Sequence, residues 1–167
     1  GYIATGVLSG AEGLALVDPG PSSCLDTLRR SLAERGYTTA DIRWILLTHI
    51  HLDHAGATGT LLREAPHARV VVHERGVKHL VDPAKLIESA TRLYGDQMAP
   101  LWGEIAPVPA ARIDAIGERG SGTFAGHDVE IAYTPGHARH HESYWLPAAR
   151  MAFVGDAPTS KRESYND

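Results

Sequence analysis

Apolar runs separated by turn residues open the chain. Ile3 to Leu8 and Leu14 to Val17 are short apolar runs on either side of a turn from Gly10 to Gly13. This spacing predicts a β-hairpin. Leucines then recur on one helical face between Ser22 and Gly36, which predicts an amphipathic helix that packs on the sheet and ends at the glycine.

The middle of the chain alternates between β-like and helical patterns. Trp44 to Leu47 is apolar without alternation, as in a strand that is buried on both faces. Asp53 to Ala65 repeats with a helical period, and Arg69 to His73 is rich in valine. A strand, a helix and a strand at this spacing predict a right-handed crossover. Asp82-Pro83 starts a further predicted helix, which ends before Gly95.

The second half of the chain is predicted to be mostly sheet. Residues 98–116 contain three prolines and few periodic positions, so we expect a loop with short turns that forms a wall or a lid. Residues 158–167 are polar and offer no packing face, so we expect a tail there. Three short β-like runs lie between these segments: Val129 to Thr134, Ser143 to Leu146 and Met151 to Val154.

Composition narrows the class of protein. An apolar fraction of 43% with 22% charged residues excludes a disordered acidic chain. No apolar stretch approaches the roughly 20 residues that a membrane helix needs, and a net charge of -4 argues against nucleic acid as a partner. No basic segment followed by an apolar one is visible after Gly1, so we expect no secretory signal and a cytoplasmic location.

Histidine is the residue type that stands out. The chain has ten histidines. Six of them crowd into two short windows that lie far apart in the sequence: His49, His51 and His54 in the first, and His137, His140 and His141 in the second. Two such windows predict ligands that converge on a metal ion in the folded chain.

The first window places four potential ligands directly after a predicted buried strand. In an extended segment His49, His51 and Asp53 project to one side, because side chains alternate along a strand. The turn into the next helix brings His54 to a neighbouring position. Imidazole nitrogens together with carboxylate oxygens suit a borderline divalent cation.

Two further ligands follow glycines at predicted strand ends, in Gly136-His137 and Gly155-Asp156. With the first window, these motifs make the chain resemble the metallo-β-lactamase superfamily, whose HxHxDH signature is similar to residues 49–54. Three more elements agree in order and spacing: Leu16-Val17-Asp18-Pro19-Gly20, Thr134-Pro135-Gly136-His137 and Phe153-Val154-Gly155-Asp156.

The resemblance implies an α+β fold, the αββα sandwich of this superfamily, with ligand loops along one edge of the sheets. Residues 1–157 are expected to form the domain, incomplete on its C-terminal side, and residues 158–167 the polar tail. The resemblance also implies zinc, as one or two ions, with iron or manganese as other options. We expect a small-molecule substrate, with neither nucleic acid nor a membrane as a partner.

The resemblance assigns roles residue by residue. His49, His51 and His137 bind one metal ion, Asp53 and His54 bind a second, and Asp156 bridges the two. Asp53 is also the candidate catalytic residue, because it can relay a proton while it holds its metal. Asp18 and His141 support the ligands from behind.

One ligand of the superfamily pattern has no counterpart here. Its dinuclear members place a further histidine on the second metal after the bridging aspartate, but no histidine follows His141. We therefore expect the second site to be weaker than the first. A homo-oligomer that completes the core is an open possibility.

The implied activity is metal-dependent hydrolysis of an ester, a lactone, a thioester or a related carbonyl bond. Two alternatives stay open: a single-iron enzyme similar to persulfide dioxygenases, and a non-catalytic metal-binding remnant of the fold. Outside the motifs, His67, His73, His79 and His127 are predicted to be ordinary core residues, and His140 is predicted to face solvent. Tyr94, Met98 and Trp102 form either a packing cluster or a pocket wall.

Overall fold

The computed structural model describes residues 4–157, which form two packed sheets with helices. Ile3 and the predicted tail at 158–167 lie outside the described residues. The first sheet has five strands: β1 (Gly6–Gly10), β2 (Gly13–Val17), β3 (Ile42–Leu46), β4 (Arg69–His73) and β5 (Ile113–Ile116). The second has four: β6 (Arg119–Phe124), β7 (His127–Tyr133), β8 (Glu142–Leu146) and β9 (Met151–Phe153).

Strand direction differs between the sheets. In the five-stranded sheet β1 and β2 form the predicted antiparallel hairpin, whereas β2, β3, β4 and β5 run parallel in that order. The four-stranded sheet is antiparallel throughout, in the order β6-β7-β8-β9. These two sheets with their helices confirm the predicted fold class.

Six α-helices lie in the described part of the chain: α1 (Leu25–Ala33), α2 (Leu52–Ala55), α3 (Thr58–Glu64), α4 (Glu74–Val81), α5 (Ala84–Tyr94) and α6 (Met98–Trp102). The helix predicted over 53–65 is two helices, because the chain turns at Gly56 and Ala57 between them. The loop predicted over 98–116 is wrong at both ends, where α6 and β5 form. The sequence patterns do not predict α4 or the glycine-containing strand β6.

Alternating side chains on the inner strands divide the core into two parts. On β2, Leu14 and Leu16 pack toward α1, α3 and α4, while Ala15 and Val17 face the second sheet. On β4, Val70 and Val72 pack toward the helices, and Val71 faces the second sheet. The β3 strand lies between β2 and β4 and contributes residues to both parts of the core, so it is covered on both faces, as its unbroken apolar run predicts.

A buried pair on β8 joins the two sheets just below their ligand-bearing edge. The backbone N–H of Glu142 donates to Thr48 O, and the Tyr144 hydroxyl lies 2.9 Å from Leu47 O and 2.6 Å from Glu142 Oε1. One phenol proton cannot serve both acceptors. A protonated Glu142 removes the conflict, because its own O–H then donates to Tyr144 Oη while Tyr144 donates to Leu47 O. Burial accordingly raises the pKa of Glu142 to about 8.

No helix within residues 4–157 is both long enough and apolar enough to cross a membrane. The parallel strands β2 and β3 end at the same edge of their sheet. The loops that follow them carry Asp18 and the first histidine window. At the second sheet, the β7–β8 loop brings His137 to this edge and the turn after β9 brings Asp156.

Candidate metal centre

Three histidines from two sheets form one compact group. His49 and His51 lie in the extended loop between β3 and α2, and His137 lies in the loop between β7 and β8. One ring nitrogen from each lies within 4.8 Å of the other two. His137 Nε2 is 2.9 Å from His51 Nδ1. Residues that are 86 positions apart are therefore neighbours, as the two histidine windows predict.

A second group combines His49 with His54 and Asp156, again with ligand atoms within 4.8 Å of one another. The Asp156 carboxylate reaches toward both groups. Its Oδ1 lies 3.4 Å from His54 Nε2, and its Oδ2 lies 3.4 Å from His137 Nε2. Asp156 therefore lies between the two groups.

Asp53 lies at the rim of this second group and belongs to neither of the two. Its Oδ2 is 3.6 Å from His54 Nε2, and its side chain is 40% exposed. The alternation predicted for His49, His51 and Asp53 stops at His51, because α2 begins at Leu52. Asp53 is thus turned toward His54, away from the His49–His51 row.

Asp18 and Thr48 determine which nitrogen of His49 faces the centre. Thr48 donates both its backbone N–H and its hydroxyl to the Asp18 carboxylate, at 2.8 and 2.7 Å. The hydroxyl proton is then used, so Thr48 Oγ1 accepts the proton on His49 Nδ1, which is 3.1 Å away. The lone pair of His49 is left on Nε2. No sequence pattern assigns this role to Thr48, although this residue directly precedes the first histidine.

The same Asp18 carboxylate orients His54. Asp18 Oδ2 accepts a hydrogen bond from His54 Nδ1 at 2.8 Å, so the Nε2 lone pair of His54 faces Asp156. Burial alone lowers the pKa of His54, but this hydrogen bond and the charges of Asp18, Asp53 and Asp156 together raise it above its ordinary value. Asp18 has a φ of 52°, a left-handed conformation that turns it toward the histidine loop.

His141 lies fully buried beneath the first group. Its Nδ1 is 2.9 Å from Thr134 Oγ1, and its ring centroid is 5.2 Å from that of His49. Gly155 lies close to both Thr48 and His141. Its φ is 47°, and a Cβ there would overlap with Thr48 Oγ1 and lie 2.9 Å from His141 Nε2. Only a glycine therefore lets the turn before Asp156 reach the centre.

His140 does not face solvent as predicted. It is half-buried, and its Nδ1 accepts a 3.4 Å hydrogen bond from the backbone of Ile50. Its ring is stacked on His49 with centroids 6.3 Å apart. Burial lowers the pKa of His140 to about 4.

The predictions for the other four histidines are only partly confirmed. His73 is buried and stacked on Tyr133, which confirms the prediction of a core residue. His67 is exposed, so that prediction is wrong. His79 and His127 are half-buried, and the Nε2 of His127 pairs with Ser9 O.

The donor set fits a borderline divalent cation. His49 has no solvent exposure, and its Nε2 has no hydrogen-bond partner among residues 4–157. A buried acceptor without a partner costs free energy, and a bound cation would satisfy it. Burial and the neighbouring histidines lower the pKa of His49 to about 2, so the ring stays neutral and keeps its lone pair.

Comparison with known proteins gives a consistent result. The family model described as "Metallo-beta-lactamase superfamily" matches residues 1–161. A metallo-beta-lactamase fold-containing protein of Sulfurisphaera tokodaii is 29% identical over 154 residues, which are 90% of this chain and 55% of that protein. A hydroxyacylglutathione hydrolase of Mesorhizobium japonicum is 31% identical over 113 residues, which are 67% of this chain and 32% of that enzyme.

A solved structure is also similar. A metallo-beta-lactamase family protein from Thermus thermophilus superposes with a TM-score of 0.68 at 30% sequence identity, covering 90% of this chain and 52% of that one. The chain spans about half the length of the first relatives that it matches.

Proposed function

Since the chain belongs to the metallo-beta-lactamase superfamily, we propose that it acts as a metal-dependent hydrolase of an ester, lactone or thioester. The observation that carries the proposal is the buried His49, which belongs to both ligand groups and whose Nε2 has no hydrogen-bond partner among residues 4–157. The Nε2 of His141 also lacks a partner there, but His141 belongs to neither group.

We assign His49, His51 and His137 to the first ion and Asp53 and His54 to the second, with Asp156 between them. Zinc is the preferred ion, with iron or manganese as alternatives. When bound, such a cation supplies Lewis acidity toward a carbonyl oxygen and lowers the pKa of water to near neutrality. Asp18 and Thr48 keep the two imidazole lone pairs of His49 and His54 aimed at the centre.

Asp53 is the group that moves a proton. Its carboxylate lies beside the ligands and is also 40% exposed, so it can accept a proton inside the centre and release it to solvent. His51 and His137 lie at the open side of the centre, where both of them line cavities that are large enough for a substrate. A substrate carbonyl that enters either cavity therefore meets the first ligand group.

One observation supports a centre with a single ion, which is the basis of the second candidate, the single-iron oxygenase. The Nδ1 of His49 is occupied by Thr48, so His49 can serve only one of the two groups at a time. A centre with one ion at His49, His51 and His137 would leave His54 and Asp156 as neighbours. Iron content and oxygen uptake in the presence of a persulfide distinguish this candidate from the hydrolase.

The test combines elemental analysis of the purified protein with a hydrolysis panel of aryl esters, lactones, glutathione thioesters, nitrocefin and a phosphodiester. We expect bound zinc and turnover of a carbonyl substrate, with both lowered together in His51→Ala. Arg30→Gln, on the exposed face of α1, is the control and is expected to keep both. Bound metal without turnover of any substrate would support the non-catalytic remnant, and full metal content with wild-type turnover in His51→Ala would refute the ligand assignment.

A further inference from the structure

Two cavities share residues of the first ligand group. The α4 cavity has a volume of about 970 Å³ and lies between α4 and the β7–β8 loop. The α5 cavity has a volume of about 390 Å³ and is lined mainly by α5, with Trp102 of α6. His51 and His137 line both cavities. A substrate whose scissile bond lies at these histidines can therefore extend into both.

The α4 cavity is positively charged. Arg75, Lys78 and Arg139 line it, against a single carboxylate from Glu74. The chain as a whole has a net charge of -4, so the sign of the charge is reversed locally at this cavity. Opposite charge in a concave site concentrates anionic ligands there.

Arg75 is held in place on the wall of this cavity. Its Nη1 donates to Tyr133 Oη at 2.7 Å, and its guanidinium lies 5.3 Å from the centre of the Tyr133 ring. The Tyr133 hydroxyl in turn donates to Arg139 O at 3.0 Å, which joins the loop that carries Arg139 to the same cluster. Tyr133 uses one of the five N–H donors of the Arg75 side chain. The guanidinium therefore has a defined contact on this wall and keeps donors for a ligand.

The α5 cavity has the opposite character. Leu86, Ala90, Leu93, Tyr94 and Trp102 line it, with Ser89 and the ligand loops as its polar part. Tyr94 and Trp102 pack edge to face at 5.0 Å and also line this cavity, so the packing and the pocket wall that were predicted as alternatives both occur here, although Met98 does not line the cavity. Leu93 is 78% exposed and Tyr94 is 39% exposed, so both present apolar surface to this cavity.

We propose that the substrate is an amphiphilic anion, with a carboxylate or phosphate group in the α4 cavity and an apolar chain in the α5 cavity. The scissile carbonyl lies between the two, at His51 and His137. This inference rests on the proposed hydrolase function, and it narrows the substrate class to esters, lactones or thioesters that carry a negative charge on one side of the bond.

The first test measures binding without turnover. The probes are S-octyl mercaptopropionate, a thioether that cannot be hydrolysed, its neutral amide, and the corresponding thioether with a phosphate monoester. Calorimetry with the metal-loaded protein is expected to show that at least one anion binds about tenfold more tightly than the amide, because several partly exposed charge pairs contribute together. The two anionic probes distinguish a carboxylate from a phosphate ligand.

Matched variants assign the preference to the cavity. In the double variant Arg75→Gln with Lys78→Gln, the preference for the anion is expected to fall to about twofold, whereas Arg30→Gln removes a charge elsewhere and keeps it. Leu93→Ser is expected to weaken the binding of all three probes. Leu101→Ser is its control, because Leu101 is also exposed but lies outside the cavity lining. Equal binding of anions and amide, or a preference that survives the double variant, overturns the proposal.

Hydrolysis separates this inference from the proposed function. The substrate pair is S-octanoyl mercaptopropionate and its amide, assayed by thiol release. Turnover with no preference for the anion overturns the substrate class and leaves the hydrolase in place. Selective binding of the anionic thioethers, with no turnover on any substrate of the panel, overturns the hydrolase and supports the anion site.

Discussion

The two sheets supply their parts of the candidate centre in different ways. On the five-stranded side, His49 and His54 are tied by hydrogen bonds to the buried pair Asp18 and Thr48. On the four-stranded side, His137 and Asp156 have side chains that are 33% and 43% exposed. Within residues 4–157, the side-chain hydrogen bonds and ion pairs of these two residues involve only other candidate ligands.

This difference indicates a division of labour. The buried side fixes geometry before any ligand arrives, because its lone pairs are aimed by hydrogen bonds that exist without a metal. The exposed side is held loosely and lies beside both cavities. Substitutions on the buried side are therefore expected to change metal affinity more than equivalent substitutions on the exposed side.

The largest effect is expected from His49→Ala. His49 belongs to both groups, so its loss should weaken metal binding by at least about 1,000-fold, beyond the roughly 10- to 100-fold cost of residues that act behind the ligands. His137→Ala removes one group and leaves the other, so its cost is expected to be smaller. Competition with a chromophoric chelator measures both affinities. Equal losses of metal affinity in the two variants would contradict the proposed difference between the two sheets.

The next effect concerns Asp18, which orients two histidines at once. Asp18→Asn is expected to weaken metal affinity by about 10- to 100-fold. Asparagine tolerates the left-handed backbone at this position, so the variant isolates the loss of the carboxylate from backbone strain. Asp26→Asn on exposed α1 removes the same charge and should have no effect on affinity. Direct coordination of a metal by Asp18 in a metal-bound structure would contradict the supporting role.

Thr48 sharpens the comparison further, because it acts on His49 alone. Thr48→Val keeps the shape and removes the hydroxyl, so His49 loses the acceptor that fixes its tautomer, and metal affinity is expected to fall by about tenfold. Thr48→Ser keeps the hydroxyl and should retain affinity within about twofold of the wild type. If the variants Thr48→Val and Thr48→Ser bind metal equally well, the proposed control of the His49 tautomer is wrong.

The smallest effect on affinity is expected at Glu142, which joins the two sheets without facing the centre. Below its ordinary pKa of 4.5 this carboxyl is neutral in the folded and the unfolded chain. Between pH 4.5 and about 8 the unfolded chain releases the proton while the folded chain retains it, so the wild type loses stability as the pH rises. Ionisation of Tyr144 does not contribute to this loss, because burial raises its pKa well above its ordinary value of 10.

Glu142→Gln tests this directly, because glutamine mimics the protonated acid and can donate to Tyr144 Oη. The variant should gain stability relative to the wild type as the pH rises from about 5 to about 9, by about 1.4 kcal/mol for each unit by which the pKa is raised. Urea unfolding at both values of pH measures the difference. A difference that does not change with pH would mean that Glu142 is ionised in the folded chain.

The sequence predicts the buried side of the molecule better than the exposed side. The unbroken apolar run of β3 identifies a strand buried on both faces, and the histidine windows identify ligands that converge. The strand β6 is missed because glycines take up its inward positions, and α4 is missed because its polar residues hide its periodicity. The local sequence pattern therefore predicts an element well where burial in the core restricts the residue types.

The site shows the same limit. The spacing of the HxHxDH motif places His49, His51 and His54 correctly near the centre, but the alternation argument fails at Asp53, where a helix begins. The hydrogen bonds from Thr48 and the environment of His140 depend on contacts between distant segments, which no local pattern encodes. The charge of the α4 cavity likewise arises from residues on two separate elements.

Gly155 has a consequence for how this chain tolerates change. Because any side chain there would collide with Thr48 and His141, a substitution moves the turn that delivers Asp156. In a saturation-mutagenesis library selected for turnover, position 155 should therefore return almost exclusively glycine, although this residue takes no part in the chemistry. The neighbouring Val154 is half-buried and carries no such restriction, so it should return a range of apolar residues. Selection would then restrict the residue type at position 155, which acts only through its backbone, as strictly as it restricts a metal ligand.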